Sequence, residues 1–165
     1  MHWDFILALP KKYDLIRLTF GVFCKGETYY APRMIEDHKC EPENYNKNKC
    51  VIAEKDHIYD ITANKDTILV IEMQAQYDDV DKNRKSVIFG WTMLELFDMK
   101  KDLLRGKFKV PFYSTKTNPN LLVDQLKNLT SVSSTLLYLR ISFPRDPEYG
   151  HDEVIIPDKL SVTIF

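Results

Sequence analysis

Apolar and polar positions alternate along much of this chain with a period of two. In residues 13–24 (YDLIRLTFGVFC), Ile16, Leu18, Phe20 and Val22 fall on one side while Leu15, Arg17 and Thr19 fall on the other. That period, carried by β-branched and aromatic residues, predicts a strand with one buried face. Lys25-Gly26-Glu27 supplies a turn, and residues 28–30 start a return strand. The pattern then lapses. Residues 32–49, with Pro42, several Asn and mixed charges, read as a long polar loop, and residues 1–12 as an N-terminal extension. Cys50-Val51-Ile52 and residues 57–61 are short strand candidates.

The strongest strand is 67–74, whose Ile68-Leu69-Val70-Ile71-Glu72-Met73 run is continuous enough for the middle of a sandwich. A charged loop (77–86), a strand (87–97) and a strand ended by Pro111 (106–113) follow. After the turn cluster at 114–120, Leu122, Leu126 and Leu129 recur at helical spacing, which predicts one short helix over 121–129. Residues 135–143 (TLLYLRISF) form another strong strand, 144–151 a loop, and 154–165 one or two closing strands. Seven or eight strands, one helix and no βαβ rhythm predict an all-β fold, an antiparallel β-sandwich of about eight strands in a single domain spanning 1–165.

Composition narrows the function. At 165 residues the chain buries roughly two-thirds of its unfolded surface. Nine Tyr and nine Phe suit half-buried pleated surfaces. The net charge of −1 gives no global field to recruit nucleic acid. Cys24, Cys40 and Cys50 are an odd count without the density of a disulfide framework, so a reducing, cytoplasmic setting is expected. The apolar start around Phe5-Ile6-Leu7 is too short for a signal peptide, and no run approaches the roughly 20 apolar residues of a membrane span.

The order of 68–113, from core strand through acidic–basic loop to a return strand entered through Phe89-Gly90-Trp91, resembles the middle of a C2 domain. The Phe89–Asp98 run, followed by Leu104, Gly106 and the 110–113 strand, is most similar to the C2 domains of phosphoinositide 3-kinases and ciliary scaffold proteins. The resemblance covers 67–113 best and extends to 13–24 and 135–143. It implies a C2-like sandwich that often dispenses with calcium and that binds proteins or lipids. A glycine at position 90 has its own physical reason, since a strand crossing or bulge needs close backbone approach.

Calcium requires six to eight converging oxygen ligands. In calcium-binding C2 domains the core strand ends in Asp-x-Asp; here those positions hold Ala75 and Tyr77, and Val87 stands near the later acid. Asp78, Asp79 and Asp81 lie just beyond, with Glu36 and Asp37 as a weaker addition, and they read better as a self-neutralising solvated loop. Calcium independence is therefore expected, and no metal or cofactor.

His38, Cys40, Cys50 and His57 lack the close ligand pairs of structural zinc, and a free Cys is commonly a small buried hydrophobe. No nucleophile elbow or phosphate-cradling glycine loop occurs, and the four His are scattered, so no enzyme and no small-molecule substrate are expected. Two candidate surfaces remain. Lys100, Lys101, Arg105, Lys107 and Lys109 form a basic cluster in which each exposed base adds about 1 kcal/mol near an anionic bilayer. Trp3, Phe5, Ile6 and Leu7 either clamp the sandwich or present an anchor to a partner protein. The apolar stretch 160–165 is a further edge for pairing. A non-catalytic interaction or scaffolding module, in a ciliary or cytoskeletal assembly, is the favoured expectation; an anionic-lipid binder is the alternative.

Overall fold

The computed structural model describes residues 1–144 and 146. Nine strands make a single antiparallel sheet: β1 (His2–Pro10), β2 (Leu15–Cys24), β3 (Glu27–Lys39), β4 (Glu41–Pro42), β5 (Lys47–Lys55), β6 (Thr67–Asp78), β7 (Arg84–Glu95), β8 (Gly106–Tyr113) and β9 (Ser131–Ile141). Their order in space is β3-β2-β6-β7-β8-β9-β1-β5-β4. Only the Trp91↔Tyr113 pair joins β7 to β8. The sheet turns a corner there and curls, so that its halves face one another as a sandwich does.

Between the halves lies the main core. Ile16, Leu18, Phe20 and Val22 of β2 enter it, the face assigned to them by alternation. Trp3 of β1 meets Phe20 of β2 across the gap at 4.9 Å between ring centroids. Tyr13, Phe89 and Phe112 continue the contact edge-on, at 5.5 and 6.2 Å. The apolar run of β6 is buried on both faces. Leu69, Ile71 and Met73 point into the main core, while Ile68 and Val70 join Trp91, Met93 and Leu126 in a second cluster.

That second cluster exists because the 114–130 segment crosses back over the outer face of β6 and β7. Trp91 Nε1 donates to Thr115 Oγ1 (3.2 Å), and Thr117 Oγ1 donates to Glu72 Oε2 (2.7 Å). The helix expected over 121–129 is a 3-10 helix of six residues, Val123–Asn128. Leu126 plugs the cluster, whereas Leu122 is 68% exposed. Helical spacing of three leucines is therefore not matched by a helical apolar face.

Two stretches read as irregular are strands. Residues 32–49, expected as a loop, hold most of β3, all of β4 and the start of β5. In β3 only Ile35 is fully buried, and three register shifts against β2 interrupt the strand, so no alternation is left to see. Residues 1–12, expected as an extension, hold β1, which pairs with β9 and β5 in the middle of the second half. The short strand expected at 57–61 is irregular, and the charged loop expected at 77–86 is a tight hairpin whose turn spans 79–83. The expected closing strands over 154–165 lie outside the described residues.

Gly90 sits where β7 crosses β8. The β6–β7 ladder slips between Met73↔Gly90 and Gln74↔Ile88, leaving Phe89 as a bulge. A Cβ on Gly90 would lie 2.9 Å from the Tyr113 carbonyl oxygen and 3.1 Å from Val132 Cγ2.

Candidate functional site

The five bases expected as one patch are divided among three settings. Lys100 and Lys101 stand exposed on a tight turn in which Asp98 Oδ1 accepts the backbone N–H groups of Lys100 (2.8 Å) and Asp102 (2.9 Å). Arg105 is engaged, with Nη1 3.2 Å from both Asp146 carboxylate oxygens and its guanidinium 5.3 Å from the Phe143 ring centroid. Lys107 and Lys109 share the outer face of β8, opposite the buried Phe108 and Val110. Lys109 lies 5.9 Å from the Tyr138 ring centroid, and Lys107 stands opposite Arg140 in the β8–β9 ladder.

The apolar N-terminal residues are structural. Trp3 and Ile6 are fully buried in the main core, so neither is available as an exposed anchor. Phe5 packs on the other face against Tyr138, with rings stacked at 4.5 Å, and Leu7 is half-buried. A β-bulge between Trp3 and Phe5 turns Asp4 onto the Phe5 face. There its carboxylate receives Arg140 Nη2 at 2.6 Å and Nε at 3.0 and 3.1 Å, with both side chains 3% exposed. Burial pushes the Asp4 carboxyl up against the opposing pull of Arg140.

The acidic loop consumes its own charge. Asp79 Oδ1 accepts the N–H groups of Asn83 (2.9 Å) and Asp81 (3.0 Å), and those backbone donors hold its carboxyl below the ordinary range. Asp78 pairs with Arg84, which also reaches Asp14 at 2.7 Å. On the far edge, Asp37 is clamped by Arg17 through bonds of 2.6 and 2.9 Å. Asp78, Asp79, Asp81 and Asp37 thus sit in turns and ion pairs rather than around one centre.

The cysteine–histidine set divides likewise. Cys40 and Cys50 come together, but His38 Nε2 faces Glu54 Oε1 at 2.8 Å, and His57 stacks on Tyr59 at 5.9 Å. Among the described residues, no three His, Cys, Asp or Glu side chains converge as a metal site. Nor is any described helix long and apolar enough to cross a membrane.

Of the exposed apolar side chains, Met99, Tyr59 and Phe143 lie at the sandwich end that carries the β7–β8 and β2–β3 connections, while Val80 and Tyr45 lie at the other. Met99 is 80%, Tyr59 60% and Phe143 51% exposed. Phe143 shares a small cavity with Ile58 and His57, and the Arg105 guanidinium lies over its ring. At the same end, a cavity of about 410 Å³ opens between Lys25-Gly26, Asp66 and the 3-10 helix, with Glu95 and Asp124 on its wall. Burial and the nearby Asp124 charge push the Glu95 carboxyl up.

A family model described as the CCDC17 C-terminal domain matches residues 1–159. The chain belongs to that family. The match takes in all nine strands, so β1 and the polar edge strands β3 and β4 are part of the CCDC17 C-terminal domain proper. Two features of this domain escaped the reading of its sequence. The Asp4–Arg140 pair joins residues 136 apart, and the Tyr59–Phe143 surface draws on two connections that show no periodicity. Their local signals were an acid inside an apolar N-terminal run and an arginine inside an apolar strand.

Proposed function

We propose that this CCDC17 C-terminal domain is a non-catalytic, calcium-independent, C2-like module through which a coiled-coil protein binds another protein. The observation that carries the reading is that Met99, Tyr59 and Phe143 stand exposed at the same end of the sandwich as Lys100, Lys101 and Arg105. Exposed aromatics rimmed by cations suit an acidic protein surface, because buried aromatic anchors supply affinity and rim charges supply steering. The C2-like part of the proposal rests on the β6–hairpin–β7 unit and on the Gly90 crossing. A ciliary or cytoskeletal assembly is the proposed setting, carried by that resemblance alone.

The test pairs affinity capture with vesicle flotation, using wild type, Y59A/F143A and K100E/K101E, each first shown to melt cooperatively. Capture should fall sharply in Y59A/F143A at any salt concentration, and in K100E/K101E chiefly at low salt. Undiminished capture by both variants overturns this surface assignment. Flotation with anionic vesicles that vanishes at high salt and in K107E/K109E favours the lipid reading. Flotation lost on adding chelator restores Asp78, Asp79 and Asp81 as calcium ligands.

A further inference from the structure

Among the described residues the curled sheet ends on one side in β3 and on the other in β4, and a single residue, Cys40, separates the two in the chain. The backbone thus steps from one half of the sandwich to the other at Cys40, whose N–H is held by the Asp14 carbonyl at 2.8 Å. In the β4–β5 ladder Glu41 pairs with Lys49 and Pro42 with Asn48, so one further step sets Cys40 opposite Cys50. Cys50 is fully buried, and its Sγ lies 3.5 Å from the Lys39 carbonyl oxygen and 3.7 Å from that of His38. Cys40 is half-buried and open to solvent on one side. Around them the seam is otherwise held by side chains, His38 with Glu54 at 2.8 Å and Arg33 with Asp56 at 2.7 Å.

We propose that Cys40 and Cys50 are a redox modification site, at which a reversible cross-strand disulfide staples the seam where the curled sheet closes. Directly opposed residues of an antiparallel pair have Cβ atoms about 4.5–5.5 Å apart, close to the roughly 3.5–4.5 Å that a disulfide spans. The oxidant is a small-molecule disulfide of the glutathione class. The Cys40 thiolate attacks one sulfur of that disulfide, expelling a glutathione thiolate and leaving a mixed disulfide on Cys40. Cys50 then loses its proton and attacks Cys40 Sγ, releasing the second glutathione. Two protein thiols are oxidised and one glutathione disulfide is reduced. The order follows from access, since only Cys40 meets solvent. It also follows from acidity, because the neighbouring Cys40 and burial push the Cys50 thiol up, making it the slower nucleophile. Cys24, at the far end of β2, takes no part.

The test equilibrates the wild-type chain in oxidised or reduced glutathione, blocks free thiols after unfolding, and maps tryptic peptides. In the oxidised sample the peptides 40–47 (CEPENYNK) and 50–55 (CVIAEK) should appear joined, separating on reduction, while Cys24 is alkylated in both samples. The joined species should persist in C24S and disappear in C40S, and the oxidised wild type should unfold at higher urea than the reduced. Glutathione retained on Cys40 with Cys50 still alkylated overturns the proposal, as does a link to Cys24. So does finding both thiols free after oxidation.

Discussion

Replacing Gly90 by alanine sets two effects of known size against each other. Its φ lies outside the left-handed region, so the added methyl restricts the unfolded chain and by itself stabilises by about 0.4–1 kcal/mol. Against that, the new Cβ would stand 2.9 Å from the Tyr113 carbonyl oxygen, 3.1 Å from Val132 Cγ2 and 3.2 Å from Phe112 Cβ. The first of these is backbone, and it belongs to Trp91↔Tyr113, the one ladder pair between β7 and β8. Neither strand can yield without opening the corner that brings the halves of the sandwich together. Overpacking at such a site costs about 1–3 kcal/mol, so the steric term wins and G90A should lose roughly 1–2 kcal/mol net. For a chain of this size that lowers Tm by about 2–8 °C. Urea unfolding followed by Trp fluorescence reads the effect directly, since Trp3 and Trp91 are both fully buried. G21A is the control. Its Cβ would meet the ring edge of Phe23 at 3.0 Å, a half-buried side chain rather than backbone, and the loss should be smaller. A G90A variant as stable as wild type would refute the close crossing and the bulge argument with it.

Three further outcomes are expected. Truncating either member of the Asp4–Arg140 pair should cost about 3–5 kcal/mol, while D4L/R140M together should cost less than either single change; a double-mutant cycle with no coupling energy would contradict the buried pairing. L126A should lose about 2–5 kcal/mol and red-shift Trp91 emission, since Leu126 is the buried side chain of the 3-10 helix in that cluster; an unchanged spectrum would mean the segment does not cover β6 and β7. Asp79, whose carboxyl is held below its ordinary range, contributes stability that is present above the unfolded-state pKa and lost as pH falls through the folded value. The wild-type advantage over D79N in urea unfolding should therefore shrink on acidification, and a difference constant with pH would dispose of the backbone-donor account.

What the sequence determined by itself were the elements whose two faces meet different environments. Strand β2 alternates because Ile16, Leu18, Phe20 and Val22 enter the core while Arg17 reaches water and Asp37, so local period is enough to read it. Strand β6 reads as a continuous apolar run because it is covered twice, and Gly90 announced a close approach because only a missing side chain fits there. The all-β class followed from these. Tertiary structure alone decided the rest. Strand β3 buries only Ile35 fully and is interrupted by register shifts, so its residues carry no period, and only pairing with β2 makes it a strand. Trp3 and Ile6 had the same hydrophobicity whether anchor or core; pairing with β9 and β5, far along the chain, made them core. Asp4 finds Arg140 and Phe143 finds Arg105 only when β9 pairs with β1 and β8, because each of these contacts is set by strand order and not by spacing along the chain.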